Sequence, residues 1–411
     1  MPQVFRNIKI GVFISFVNLL IQGISFFVQN FIAQNLDTTY YGYFGVLQTD
    51  YSLFCAIADF GMATLILAFF GERATKGTLF RNVLQLRLMF SILTTLLMIT
   101  FAFTIRKHHP IFEGELILSF GLIFQHAFFD WFFICGKFWK RLFISKLLHT
   151  LSYAIVMGIA LLYLKLDKIE HIALAMLIAA LPAFFFGVTQ VFHTRILKFT
   201  KRSFCFFFLM LKASIPYAVA SLASLAYLPV GLYVVDAFSS PEFLSAYNFA
   251  NKIILLASGF MVHFISSSLI NLHKNKDRFI HVRDVLLFTL FILMTSSPLW
   301  LFPKEVLQIL FFAAPWNDHI LEISAHCLRI LSISLTFQAI RMSLISTLLK
   351  EKKTKLYGTF VCIGGVSNII FCTFAGAFLA SITIPIFVLS GDVVITIILW
   401  TYFFRNNLIR W

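Results

Sequence analysis

Of 411 residues, 60% are apolar and only 12% are charged, with a mean hydropathy of +0.88; soluble domains carry about 25% charge. That composition excludes a soluble enzyme, and the way the net charge of +15 is distributed excludes nucleic acid as a partner. The chain reads as an all-α, polytopic membrane protein.

A hydrocarbon core about 30 Å thick is crossed by about 20 apolar residues in a helix that satisfies its own backbone hydrogen bonds. Runs of this kind recur twelve times, at residues 10–34, 42–70, 80–105, 114–136, 143–165, 169–192, 206–234, 241–271, 284–302, 321–349, 357–379 and 382–404. The first has no small-residue cleavage site, so it is expected to be a retained helix and not a signal peptide. It places Asn18, Gln22, Ser25 and Gln29 at spacings of 4, 3 and 4, a polar stripe on one face. The second carries Asp50 and Asp59, nine residues apart and therefore on opposite sides of a helix.

Between the sixth and seventh spans lies the most hydrophilic interior stretch, HTRILKFTKRS at 193–203. It divides the chain into an N-terminal six-helix lobe, residues 1–200, and a C-terminal one, 201–411. At an offset of 202, FIAQNLDTTYYGYFGVLQTD (31–50) aligns without a gap on YVVDAFSSPEFLSAYNFANK (233–252), bringing Asp50 opposite Lys252. Six spans per half make such repeats parallel, related by an axis along the membrane normal, with a substrate route expected between them.

The seventh span contains Pro216 and Pro229 and is expected to bend. On the eighth, Ser245, Asn248, Lys252, Gly259 and His263 share one face. A bare ammonium at the bilayer centre costs about 3 kcal/mol on insertion scales, so Lys252 is expected to face a bundle interior or a watery cavity. The tenth span adds Arg329 and Arg341, about 120° apart around the helix, with Ser334 and Gln338 on the face of Arg341. Asp392 lies near the middle of the twelfth. Asp50, Asp59 and Asp392 are each expected to be neutral, paired or in water.

Of 33 basic residues, 25 fall in alternate loops and helix ends that include both termini, five in the opposite loops, and three, Lys252, Arg329 and Arg341, within spans. This asymmetry predicts cytoplasmic termini and contact with anionic membrane lipids. The six cysteines show no CxxC spacing, so no disulfide framework or metal site is expected. No P-loop, HExxH, GxSxG or paired-acid motif is present, which argues against enzymatic activity and against a bound cofactor.

Four segments carry a family resemblance. DWFFICGKFWKRLFISKLL (130–148) looks like the fourth-to-fifth helix signature of bacterial O-antigen and exopolysaccharide repeat-unit flippases. YYGYFGVLQTDYSLFCAIADFGMA (40–63) is similar to their second-helix region, with its Tyr-Gly turn and Asp-Phe-Gly step. SAYNFANKIILL and VSNIIFCTFAGAFLASITIPIF resemble their eighth and eleventh helices. After Trp131 the chain departs from the pattern, reading FFICGKF without the Gln and Glu often found around that glycine.

Membership in these flippases of the multidrug, oligosaccharidyl-lipid and polysaccharide exporter superfamily implies a V-shaped pair of six-helix lobes in the bacterial inner membrane. It implies transfer of undecaprenyl-pyrophosphate-linked glycan from the cytoplasmic to the periplasmic leaflet, alongside the polysaccharide polymerase machinery. On this resemblance Lys252 is the counter-charge for the pyrophosphate and Arg341 a second contact, with Asn18, Gln22, Gln29, Asn248 and Asn251 as sugar contacts. From the 202-residue repeat register, and not from the resemblance, Asp50 is expected to hold Lys252 and release it to the pyrophosphate, with Asp59 and Asp392 as further coupling or charge-pair candidates. A multidrug exporter of the same superfamily shares the expected fold but calls for acids that face cationic drugs. A polysaccharide polymerase or ligase calls for a large external loop, and the longest outward connection here, 303–320, is short.

Overall fold

The computed structural model describes residues 20–69, 77–163, 168–193, 204–225, 228–272, 280–312, 314, 317–350, 353–406 and 409–410. Almost all of them are helical. The exception in extended form is a two-residue parallel bridge that pairs Ile280 with Ile409 and His281 with Arg410.

In chain order the helices are α1 (20–35), α2 (Thr38–Asp59), α3 (Met62–Phe69), α4 (Gly77–Ile105), α5 (Phe112–Gly121), α6 (Asp130–Cys135), α7 (Trp139–Tyr163) and α8 (Ile169–His193). There follow α9 (Phe204–Leu225), α10 (Leu228–Phe238), α11 (Pro241–Leu272), α12 (Val282–Leu301), α13 (Pro303–Leu310), α14 (Asp318–Lys350), α15 (Thr354–Phe378) and α16 (Ile384–Arg405). Among the described residues α4, α7, α8, α14, α15 and α16 are each long and apolar enough to cross a membrane unbroken. The other six expected spans correspond to α1, with residues 10–19 of that span outside the described ones, to α2 with α3, to α5 with α6, to α9 with α10, to α11, and to α12, beyond which α13 follows. This is a multi-pass membrane protein.

The chain divides into two compact units, Phe27–Leu222 and Ala223–Trp411, the latter joined by the residues up to Phe26. Residues 194–203, where the lobe border is expected from polarity, lie outside the described residues.

Within the first unit α4 shows how such helices pack. Ile92, Leu93, Leu96 and Leu97 are exposed, whereas Ser91, Thr94, Thr95, Met98 and Ala102 are buried. Water-soluble proteins show the reverse; in lipid, leucine faces the tails and small or hydroxylated residues allow helices to approach and bond. Thr95 Oγ1 donates both to Ser91 O in its own helix and to Ser119 O of α5, at 2.9 and 3.1 Å.

The Asp-Phe-Gly step is a built break between α2 and α3. Phe60 and Gly61 take left-handed backbone angles, φ 47° and 65°. A Cβ on Gly61 would lie 2.4 Å from the backbone nitrogen of Ala218 in α9, so glycine is required both by the angle and by the close approach. Asp59 Oδ2 accepts from Ala63 N at 3.4 Å, capping the new helix. The DWFFICGKF segment is a second break. Trp131, Phe132 and Phe133 are buried beside Phe80, Gly136 ends α6 by donating its N–H to Phe132 O, and Lys137 turns the chain with φ 56°.

In the second unit α15 and α16 meet at a glycine. A Cβ on Gly391 would lie 2.8 Å from Gly364 O and 2.7 Å from the Asn368 side chain. Asn368, the eleventh-span asparagine, accepts from Cys372 Sγ and Ser390 Oγ and so acts in helix joining. Pro216 lies inside α9, and Pro229 is the second residue of α10, where its missing N–H costs nothing.

The geometry at Gly61 sets an expected outcome. Gly61→Ala destabilises by on the order of 1–3 kcal/mol, from a left-handed alanine and a backbone collision. Gly158→Ala, at a helical site with nothing within 4 Å of the added carbon, stabilises by roughly 0.5–1 kcal/mol. Thermal unfolding of the two purified variants in detergent checks both signs.

Candidate substrate site

The long helix α11 begins with strong start signals: Ser240 Oγ accepts from Phe243 N at 3.3 Å, Pro241 occupies the first turn and Glu242 adds a carboxylate there. One turn further in, the polar stripe starts. Ser245, Asn248 and Asn251 are fully buried and Lys252 is half-buried. Asn251 Oδ1 and Ser258 Oγ are shielded and find no hydrogen-bond partner among the described residues. Buried amide and hydroxyl atoms left in this state are costly, and both stand one position off the stripe, next to Lys252 and Gly259.

The stripe is extended by α1. Gln22 Nε2 lies so close to α11 that a Cβ on Gly259 would come within 2.4 Å of it. Gln22 Oε1 also finds no partner among the described residues. One turn along α1, Phe26 packs on Phe311, which in turn packs edge-on against Phe249 of α11, at centroid distances of 5.1 and 4.9 Å. Glycine at 259 and the phenylalanine cluster thus hold Gln22 beside α11, in the unit that contains Asn248, Asn251 and Lys252.

On α14, Ser334 and Gln338 are buried on the face of Arg341. Arg341 Nη1 donates to Asp392 Oδ1 of α16, while Asp392 Oδ2 accepts nothing among the described residues. Arg341 is therefore already engaged with a carboxylate, and an anion that reaches it shares the guanidinium with Asp392. The side chain of His263 and the whole of Asn18 lie outside the described residues.

The remaining expected site residues belong to the first unit. Gln29 donates Nε2 to Tyr153 Oη of α7 at 3.4 Å, a helix-joining contact. Asp59 pairs with Arg87 of α4 at 2.9 Å, and the Arg87 guanidinium sits 5.1 Å from the centre of the Phe128 ring. Asp50 is completely buried; Arg106 Nη2 reaches its Oδ2 at 3.4 Å, and Arg106 Nε lies 3.7 Å from Glu115 Oε1. The expected exchange partner of Asp50, Lys252, belongs to the other unit; within its own unit Asp50 is held by Arg106.

Arg106 and Arg87 are residues that sequence reading missed, assigned respectively to an outward loop and to a cytoplasmic helix end. The available signal was the imbalance of acids: Asp50, Asp59 and Glu115 in or beside spans demand cations nearby, since an uncompensated buried charge is too costly. Among the described residues no group of three or more His, Cys, Asp or Glu side chains is placed to hold a metal ion.

The sequence matches the family described as polysaccharide biosynthesis protein over residues 9–270. The chain belongs to that family. No curated protein matches it. Among solved structures, the lipid II flippase MurJ in an inward closed conformation is similar at a TM-score of 0.74 and 16% identity, with 98% of this chain and 88% of that one covered. An outward-facing multidrug resistance MATE family transporter of the MOP superfamily is similar at 0.62 and 13%, covering 98% and 96%. A MOP superfamily transporter from Pyrococcus furiosus, described by a reversed polarity of its binding pocket, is similar at 0.61 and 12%, covering 97% and 95%. The family member described here shares their fold.

The Arg106 arrangement is open to test. Arg106→Ala leaves Asp50 and Glu115 buried without their cation and is expected to cost about 3–5 kcal/mol. Adding Asp50→Asn and Glu115→Gln to the same chain recovers most of that loss. Equal unfolding temperatures for the single and the triple variant would contradict the assignment.

Proposed function

We propose that this chain flips undecaprenyl-pyrophosphate-linked oligosaccharide repeat units from the cytoplasmic to the periplasmic leaflet of a bacterial inner membrane, for surface polysaccharide assembly. The observation that carries the reading is Lys252, a half-buried ammonium in the second unit, on a helix face whose other members are the buried side chains Ser245 and Asn248, with Asn251 beside it and Gln22 held against Gly259 further along. A diphosphate needs a cation along its path, and a glycan needs amides and hydroxyls that exchange hydrogen bonds with sugar hydroxyls. The polyprenyl tail needs neither and remains in lipid. Membership in the polysaccharide biosynthesis family supports the glycan class.

In this mechanism Lys252 attracts the pyrophosphate as a point charge, while Asn248, Asn251 and Gln22 take sugar hydroxyls. Arg341 is a second anion contact, shared with Asp392. Asn18 remains a candidate sugar contact, whereas the amide donation of Gln29 is given to Tyr153. The chain itself breaks no bond, so catalysis here means lowering the barrier to moving a polar headgroup through the membrane. The same geometry weighs against export of cationic drugs: Asp50, Asp59 and Asp392 are each taken by an arginine and present no free carboxylate pair to a cation.

Two outcomes are expected. Lys252→Ala inserts at normal levels but lowers flipping at least tenfold, in keeping with about 1.5–3 kcal/mol for a contact to a charged group. Lys252→Arg retains part of the activity, because charge matters more than shape for a point contact with phosphate. The readout is lipid-linked glycan accumulating on the cytoplasmic leaflet of cells that carry each variant; full complementation by the alanine form overturns the role. For orientation, reporter fusions after residues 37, 110, 167, 238 and 312 should read periplasmic and those after 75, 198, 277 and 353 cytoplasmic. Inverted readings at most sites would reverse the proposed topology.

A further inference from the structure

Arg329 takes no part in the site above. It lies on α14 with its side chain exposed, and its Nε donates to Trp300 O at 3.2 Å. That carbonyl belongs to the last turn of α12, where helices leave acceptors unsatisfied. At 20 residues α12 is about 30 Å long, one bilayer core from end to end. Trp300 therefore stands at interface level, where tryptophan is favoured, and α13 leaves α12 there at an angle of 87°. Because Nε is used by the helix end, the two terminal nitrogens of Arg329, which have no partner among the described residues, remain for an outside acceptor. The nearest acid along its helix face, Glu322, two turns away, is engaged by Lys304 at 3.0 Å.

Next to Arg329, whose bonded neighbours Trp300 and Ser332 both line it, α12 and α14 enclose an open groove of about 450 Å³. Small residues make the hollow: Ser296 and Ser297 on α12, Ser332 on α14, with Leu293 and Phe337 at its far end. Its polarity is deceptive. Ser296, Ser297 and Ser332 each donate to a carbonyl of their own helix, at 2.7, 2.7 and 2.8 Å. The surface that remains is hydrocarbon, and Leu293, Trp300 and Ile333 around it are 45%, 52% and 40% exposed.

We propose that this groove is a binding site for one anionic glycerophospholipid, with the phosphate on Arg329 and an acyl chain in the groove beside it. The charge selects an anionic headgroup, since guanidinium and phosphate oxygens form paired, charge-assisted hydrogen bonds. The length selects an acyl chain. From Leu301 to Leu293 the groove runs eight residues, about 12 Å, close to the half-thickness of a bilayer core. An acyl chain ends at that depth, whereas a polyprenyl chain has to leave the groove and continue. The site does not depend on the flippase reading, because none of its residues lines the Lys252 face.

The experiment uses full-length protein purified in detergent and native mass spectrometry, with dioleoylphosphatidylglycerol and dioleoylphosphatidylethanolamine as probes. Wild type is expected to retain one equivalent of phosphatidylglycerol at least tenfold more tightly than phosphatidylethanolamine. Arg329→Gln brings the two lipids to equal retention, and Ser297→Phe, which fills the groove and leaves the guanidinium in place, weakens retention of both. Inorganic phosphate at the same concentration displaces neither. The proposal is overturned if wild type does not distinguish the lipids, if inorganic phosphate displaces phosphatidylglycerol, or if Ser297→Phe retains phosphatidylglycerol undiminished. This last measurement decides the matter even where Arg329→Gln yields no monodisperse protein.

Discussion

A charge inside hydrocarbon must be compensated where it stands, and the architecture of this protein follows from that constraint. Asp50 with Glu115, Asp59, and Asp392 are met by Arg106, Arg87 and Arg341. Each pair joins separate helices, so each fixes the register of one helix against another: α2 and α5 to the end of α4, α2 to the body of α4, and α14 to α16. Arginine suits the task because its fork holds a carboxylate in a defined orientation and its guanidinium is more weakly hydrated than an ammonium. Such pairs add little net stability over an apolar replacement, but losing one partner is severe. Their effect is to make wrong packings costly, which matters in lipid, where apolar helix faces alone do not distinguish a neighbour helix from an acyl chain.

Once those charges are assigned, the polar side chains that remain acquire meaning. Gln29 and Asn368 hold helices together, through Tyr153 of α7 and Ser390 of α16 respectively. Asn251, Gln22 and Gln29 each keep a shielded oxygen with no partner among the described residues. A folded chain tolerates such atoms where a ligand or water supplies the missing bond. Gln29 additionally donates its amide nitrogen to Tyr153 of α7.

How much of this is legible in sequence depends on whether a feature is local. Spans and the stripe on α11 are local, since apolar length and helical spacing lie within a few positions; the breaks near Gly61 and Gly136 fall inside 42–70 and at the end of 114–136, stretches whose apolar length reads as continuous spans. The resemblance carried by the Asp-Phe-Gly and DWFFICGKF segments is explained by these breaks, since both are shape motifs in which glycine and buried aromatics set the path of the chain. The arginine partners are not local. Arg106 is 56 residues from Asp50 and Arg341 is 51 from Asp392, and loop-charge counting assigned Arg106 to orientation when its side chain is only 11% exposed. The end of the second unit is not local either. That residues 20–26 group with Ala223–Trp411 follows from the fit of Gln22 against Gly259, a contact no spacing rule predicts.

The two basic residues of α14 show how position on one helix separates two uses of the same chemistry. Arg341 faces a bundle interior, and Asp392 holds its charge there. Arg329 lies twelve residues earlier, near the end of α12, and its face of the helix is open to lipid. There the compensation for a guanidinium comes from a helix-end carbonyl on one side and from the interface on the other, so no buried acid is needed. A cation at that depth is inexpensive compared with one at the centre, and its position beside a hollow lined by small, internally bonded serines gives it a defined use. Lys252 is the intermediate case: half-buried, on the inner stripe of α11, with amides beside it. An ammonium on a flexible stem is weaker than arginine at fixing helix register and better at following a mobile anion, which is the property that the proposed role of Lys252 requires.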